Sequence, residues 1–319
     1  NIAKGLSEIL GVDYETILKR AQNTKSWYEV VARKVEPEVS EKVREFKAEG
    51  GYSGIKIEAD TKRYYPNGSL ASHVIGFVGL ENKGLGGIEA RYDSLLSGKN
   101  GYVMRSTTAA GTDMLYSSYE DYVDAEDGQS LSLTIDSTIQ YYIEKHLAQA
   151  VADYDIQNGA AAICMEVDTG AILSMASLGN FDLNDYQTIS AEAEAEIRAA
   201  AQSDEEYNEL YSLAQQLQWR NKAISDTYEP GSTFKIITLA MALEEGVVSE
   251  NSSFYCGGSM NVLGRGSPLK CWKYGGHGSQ SLTQAVQHSC NVAFVNIGQL
   301  VGEEKFYEYA EGFGFIDRT

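Results

Sequence analysis

The chain has 319 residues, 43% of them hydrophobic, enough at roughly 100–200 residues per domain for about two domains with cores of their own. Its net charge of -19 argues against nucleic acid as the main partner, because phosphate binding relies on Lys and Arg. No run reaches the ~18 apolar residues of a membrane span, NIAKGLSEIL lacks the basic and apolar regions of a signal peptide, and four cysteines are too few for a disulfide scaffold, so any targeting segment is expected outside these residues.

Taken in chain order, SEILGVDYETILKRAQ places apolar residues at helical spacing with Asp13 as a cap, and VEPEVSEKVREFKAEGG is a second amphipathic segment stopped by Gly50 and Gly51. GIKIEADTKRYYPNGSLASHVIGFVG then predicts strand-like stretches around a Pro-Asn-Gly turn. NKGLGGIEARYDSLLSGKNGYV predicts a glycine-rich loop, a short helix and another turn, with Glu89 and Arg91 as a structural ion pair. The polar, turn-rich VDAEDGQS marks a boundary, giving domains 1–125 and 126–319.

Beyond it come a strand at LSLTI, a helix opening at Asp136-Ser137 and running through IQYYIEKHLAQAVADY, and a hairpin whose two apolar runs join at Asp168-Thr169-Gly170. Residues 191–210 hold seven carboxylates against one Arg, the pattern of a solvated helical face or a mobile excursion. Helices mixed with a hairpin make the class α+β. His73 and His146 have no metal or triad spacing and read as structural, and Asn67-Gly68-Ser69 fits a plain turn as well as a glycosylation acceptor.

YEPGSTFKIITLAMALEEG carries the chemistry. Gly231 permits a sharp entry, Ser232 is predicted at or near the N-cap, and the helix ends at Gly246. Side chains at i and i+3 share a helix face, so Lys235 can reach Ser232. A serine hydroxyl needs a neighbouring base to become a nucleophile; a desolvated lysine supplies it, and a helix N-terminus favours the alkoxide. Ser-x-x-Lys alone is common, but LTQAVQHSCNVAFVNIGQL adds Ser289-Cys290-Asn291, the Ser-x-Asn element that accompanies it in penicillin-recognising enzymes.

With both motifs in this order the chain resembles the class B penicillin-binding proteins, the D,D-transpeptidases that cross-link bacterial peptidoglycan. RYYPNGSLASHVIGFVG and GLGGIEARYDSLLSGKNG resemble the family's non-catalytic pedestal, and CWKYGGHGSQSLTQAVQHSCN is most similar to the sporulation or division enzymes of Gram-positive spore formers. The resemblance implies an α+β pedestal followed by the N-terminal portion of a transpeptidase domain, with helices on an antiparallel sheet. It implies Ser232 as nucleophile, Lys235 as proton acceptor, Ser289 as proton shuttle toward the leaving D-alanine, and Asn291 as holder of the substrate amide. It further implies stem-peptide substrates, β-lactams as covalent inhibitors, no cofactor for catalysis, a glycosyltransferase and other cell-wall proteins as partners, and a place outside the cell membrane through an anchor beyond these residues. The third family motif, Lys-Ser/Thr-Gly, does not occur in the chain. A D,D-carboxypeptidase and a non-catalytic scaffold are the alternatives.

Between the motifs, Cys256, Cys271 and His277 are separated by fourteen and five residues among glycines. Thiolates and imidazole suit a structural zinc, with Cys290, His288 or Asp226 as fourth ligand. A Cys256–Cys271 disulfide and unpaired thiols are the competing readings.

Overall fold

The computed structural model describes residues 1–26, 28–105, 120–157 and 159–318. They form two compact units, Asn1–Asp226 and Thr227–Thr319. In the first, α1 (Ile2–Leu10) ends at Gly11, whose φ of 68° is the left-handed conformation that closes a helix most cheaply with glycine. The Asp13 carboxylate accepts the Thr16 N–H at 2.9 Å and starts α2 (Tyr14–Ala21), as expected of a cap. The amphipathic α3 (Pro37–Gly50) opens with proline in its first turn and stops at Gly51. The apolar faces of these helices bury Ala3, Leu6, Ile17, Val43 and Ile55 together.

The short helices α4 (Ser72–Ile75), α5 (Gly87–Arg91) and α6 (Asp93–Leu96) follow, then the antiparallel pair β1 (Tyr102–Arg105) and β2 (Glu120–Val123). Helix α7 (Ser137–Asp153) begins where Asp136 accepts the N–H groups of Thr138 and Ile139. The expected hairpin is β3 (Ala161–Met165) and β4 (Ile172–Ser177), turned at a left-handed Gly170. Strand β4 is the better buried of the two, and Gln140 of α7 pins it by bonding both the N–H and the carbonyl of Met175, at 2.9 and 3.0 Å. Of the two readings of the acidic stretch, the helical one holds, in α8 (Ala191–Ala200) and the start of α9 (Asp204–Trp219); the short α10 (Lys222–Ser225) completes the unit. A second cluster of Tyr65, Phe77, Phe181 and Leu183 takes in Tyr186 and Trp219, with Phe77 stacked on Tyr186 at 4.1 Å.

Three expectations for this unit are corrected. The residues between Gly54 and Gly79 form no strand; Val78 makes an isolated bridge to Gly84. The backbone of Tyr65 is bonded instead by Asn184, which accepts its N–H at 3.0 Å and donates to its carbonyl at 2.9 Å, and by the Gly68 N–H, which reaches the same carbonyl at 3.1 Å. LSLTI is likewise not a strand: among the described residues it and the adjoining Asp136 meet β4 only through Thr134 Oγ1 to the Ile172 carbonyl and the Asp136 N–H to Leu173. Glu89 pairs with Arg63, at 2.5 Å, not with Arg91, which lies over the Tyr92 ring. Glu89 is 3% exposed, so its charge needs that partner; beside it, burial pushes the Tyr65 phenol above its ordinary pKa.

The second unit comprises α11 (Lys235–Glu244), β5 (Ser253–Cys256), β6 (Ser259–Met260), β7 (Leu269–Lys270), β8 (Gly278–Ser281), α12 (Leu282–Gln287), α13 (Asn291–Val301) and α14 (Glu303–Gly312). β5 pairs antiparallel with β8 and β6 with β7. Met241 and Ala242 of α11, Leu282 of α12, and Phe294, Ile297 and Val301 of α13 form its main core. Each large side chain there contributes about 1.5–3 kcal/mol by leaving water. Helices with antiparallel strand pairs in both units give the α+β class expected of the chain.

Candidate active site

Ser232 sits near the helix N-cap but not at it, two residues ahead of Phe234. Residues Gly231–Phe234 form a 3₁₀ turn entered at a left-handed Gly231, and α11 begins only at Lys235. The tighter turn is held by Pro230, whose carbonyl accepts both the N–H and the hydroxyl of Thr233, at 3.2 and 2.6 Å. Ser232 is therefore exposed at the tip, while Lys235 is half-buried at the first turn of a helix anchored by Thr238, Met241 and Ala242.

The second motif lies on a tight corner. Helix α12 opens with a reciprocal cap between Ser281 and Gln284 and ends at His288; α13 begins at Asn291. Ser289, between them, has φ 46°, a left-handed conformation that a residue with a Cβ adopts at a cost of about 1–2 kcal/mol. The corner is held by N–H bonds from Ser289 to Val286 and from Cys290 to Ala285, at 2.9 and 3.0 Å.

The two motifs meet at one ammonium group. Lys235 Nζ lies 3.3 Å from Ser232 Oγ, 3.0 Å from Ser289 Oγ, 2.8 Å from the Ser289 carbonyl and 2.7 Å from Asn291 Oδ1. Residues 54 and 56 positions apart are thus brought onto the lysine. Asn291 also donates through Nδ2 to the Lys270 carbonyl at 3.2 Å. Burial lowers the Lys235 pKa from its ordinary value, while the nearby Cys271 and Cys290 pull it upward. A lysine whose proton is easier to remove, in contact with two hydroxyls, can take a proton from one serine and exchange it with the other.

A second cluster lies alongside. Cys256, Cys271, His277 and Cys290 place their ligand atoms within 4.8 Å of one another, so of the candidate fourth partners it is Cys290 that joins the three residues singled out in the sequence. His288 instead stacks on His277 at 4.7 Å and contacts Gln280 Oε1 through Nδ1, and Asp226 is ion-paired with Arg220. All four cysteines are free, and the Cys271–Cys290 sulfur separation of 4.0 Å is twice a disulfide bond. It matches the roughly 3.8 Å edge of a tetrahedron with metal–sulfur distances near 2.3 Å. His277 Nδ1 is 3.6 Å from Cys271 Sγ, and its Nε2 is buried with no partner among the described residues. Burial pushes Cys290 above its ordinary pKa; Cys271, despite burial, is held below by N–H groups of Lys273 and Asn291 and the neighbouring thiols.

Three contacts were not anticipated: Phe294, whose ring lies 5.5 Å from Lys235 Nζ; Lys270, through its carbonyl; and Trp272, whose indole N–H donates to the His288 carbonyl at 2.8 Å. The spacing of Asn291 and Phe294, one helical turn apart, was the signal available for the first. His73, bonded to the Gln218 carbonyl, and His146, stacked near Tyr142, stay apart from both clusters, and Asn67-Gly68-Ser69 lies in a turn.

The penicillin-binding protein transpeptidase domain matches residues 160–319, and the penicillin-binding protein dimerisation domain matches residues 1–133. The chain belongs to the penicillin-binding proteins. Among relatives of this family, Stage V sporulation protein D of Bacillus subtilis is 38% identical over 320 residues, covering 99% of the chain and 45% of the relative. The peptidoglycan D,D-transpeptidase FtsI of Escherichia coli is 28% identical over 252 residues, 78% of the chain and 37% of the relative. The chain therefore spans less than half the length of these curated relatives. A peptidoglycan synthetase from Bifidobacterium adolescentis superposes with a TM-score of 0.63 at 25% identity, over 98% of the chain and 51% of that structure. A penicillin-binding protein 2 from Helicobacter pylori, solved in complex with MreC, shares the fold with a TM-score of 0.69 at 24% identity, over 99% of the chain and 58% of that structure. No helix among the described residues of this penicillin-binding protein is long and apolar enough to cross a membrane.

Proposed function

We propose that this chain carries the nucleophile and proton-transfer machinery of a peptidoglycan D,D-transpeptidase. The observation that carries the reading is the single ammonium group shared by Ser232, Ser289 and Asn291. Neutral Lys235 accepts the Ser232 proton as Oγ attacks the carbonyl of the penultimate D-alanine of a stem peptide. Ser289, whose Oγ also contacts Nζ, passes a proton to the departing D-alanine amine. The ester left on Ser232 is then attacked by the amine of a second stem peptide, which forms the cross-link and restores the hydroxyl. Asn291 Nδ2, now on the Lys270 carbonyl, is the donor that a substrate amide carbonyl takes over. A β-lactam stops at the first ester because its leaving group stays attached.

The reading extends to the surroundings. The pedestal is taken to run over 1–125 and the transpeptidase domain from 126; the site acts on the extracytoplasmic face of the cell membrane, and cell-wall proteins, a glycosyltransferase among them, are its partners. The 38% identity with a sporulation protein favours a role in spore formation. The three thiols and one imidazole suit a structural zinc, because soft sulfur donors in a closed tetrahedral set leave no position for activated water. Such an ion would tie the 256–277 loop to Cys290, between Ser289 and Asn291; catalysis itself requires no cofactor.

The test is product analysis with a D-Ala-D-Ala stem peptide and an acceptor amine, using the full-length protein. Cross-linked product and free D-alanine, both lost in Ser232→Ala, support the transpeptidase. D-alanine release without cross-link would make it a carboxypeptidase, and neither product from a folded protein would make it a scaffold.

A further inference from the structure

The charge on Lys235 is compensated in an unusual way for a half-buried lysine. Among the described residues, the groups whose charge acts on it are those of Cys271 and Cys290, with no carboxylate beside them. Its hydrogen-bond partners are uncharged oxygens of Ser232, Ser289 and Asn291. The remaining contact is aromatic: Nζ lies over the Phe294 ring, 5.5 Å from its centroid, within the reach of a cation–π interaction.

We propose that Phe294 is a positioning residue for the proposed base, its ring face holding the Lys235 ammonium between Ser232 and Ser289. The inference rests on the reading of Lys235 as proton acceptor. Phe294 is fitted to this task by where it stands on α13. It lies three residues after Asn291, so both side chains project from one helix face and meet Nζ together. It is 7% exposed and wedged among Met241, Ala242 and Ile297, so the core fixes the orientation of the ring. The lysine stem has four rotatable bonds and a strong preference for water; a fixed π face gives the ammonium a reason to stay.

The consequence for chemistry has a definite sign. Burial disfavours the charged lysine, whereas the negative face of the ring favours it. Weakening the π face therefore leaves burial less opposed, and the lysine loses its proton at lower pH. Fluorination of the ring drains its negative face with little change in volume, so it isolates electrostatics from packing.

The experiment is penicillin acylation of the full-length protein, followed against pH, with Phe294 replaced in turn by mono-, di- and trifluorinated phenylalanine. The acid limb of the rate is expected to move stepwise to lower pH, by about half a unit in all, which corresponds to a surface-grade cation–π contact. Phe294→Leu is expected to shift the limb the same way and also to lower the plateau, because Nζ is no longer held in place. Cys271 and Cys290 are unchanged across the series, so the charge they place near Nζ is common to every member. An acid limb that depends on Lys235 yet stays fixed through the fluorinated series overturns the role of Phe294. An acylation rate unchanged in Lys235→Met overturns the base assignment instead, and the two failures are thereby told apart.

Discussion

Ser289 combines a demanded hydroxyl with a backbone conformation that suits glycine, and two substitutions separate these properties. Its φ of 46° is held by the corner between α12 and α13. Ser289→Ala removes Oγ, 3.0 Å from Lys235 Nζ, and keeps the conformational cost. Ser289→Gly removes the same oxygen and relieves a left-handed cost of about 1 kcal/mol, less the extra entropy that glycine loses on folding. For a domain of this size, 1 kcal/mol is worth about 2–4 °C in Tm. The glycine variant is therefore expected to melt up to a few degrees above the alanine variant, while both lose about 10²–10⁴-fold in turnover of a stem peptide, the range for a missing proton-transfer group. Thermal melting by circular dichroism and D-alanine release read the two effects independently. An alanine variant that melts above the glycine variant would refute the strain argument, and wild-type turnover in either would remove Ser289 from the proton path.

Cys290→Ser is expected to release bound zinc, measured by elemental analysis of purified protein, whereas Cys164→Ser, outside the cluster, leaves the metal content unchanged. Gln140→Leu strands the N–H and carbonyl of Met175 and is expected to cost about 2–6 kcal/mol, from two groups at about 1–3 each, in urea unfolding of the full-length protein. Burial lowers the pKa of His73 from 6.5, so the folded state keeps the ring neutral while the unfolded chain takes up a proton below about pH 6.5. Stability is therefore lost as pH falls from 6.5 toward the lower folded value, and His73→Gln is expected to flatten this acid limb in melting curves taken between pH 7.5 and 5.

Much of the local structure is written in short spacings. Asp13 and Asp136 sit one residue ahead of apolar periodicity and cap α2 and α7; Gly170 turns the hairpin; Ser232, Lys235, Ser289 and Asn291 sit in two motifs that the family resemblance assigns to one site. What escaped the sequence depends on partners far along the chain. Tyr65 resembles a strand residue because nothing nearby shows that Asn184, 119 positions on, supplies its backbone bonds. Glu89 has Arg91 as its sequence neighbour, but residues two apart on a helix point away from each other, and Arg63 reaches it from 26 positions upstream. Ser232 was expected at or near an N-cap; bonding of Thr233 to Pro230 tightens the turn and delays the helix to Lys235, which leaves it near the cap and not at it. Cys290 belongs to the cluster because α12 ends in a tight corner that turns its sulfur inward.

The most direct measurement of the central claim is mass mapping of the penicillin adduct on the full-length protein and on its Lys235→Met variant. One acyl group is expected on the peptide bearing Ser232, with a labelling rate reduced by several orders of magnitude without the lysine. An adduct on another residue, or undiminished labelling of Ser232 in the variant, would contradict it.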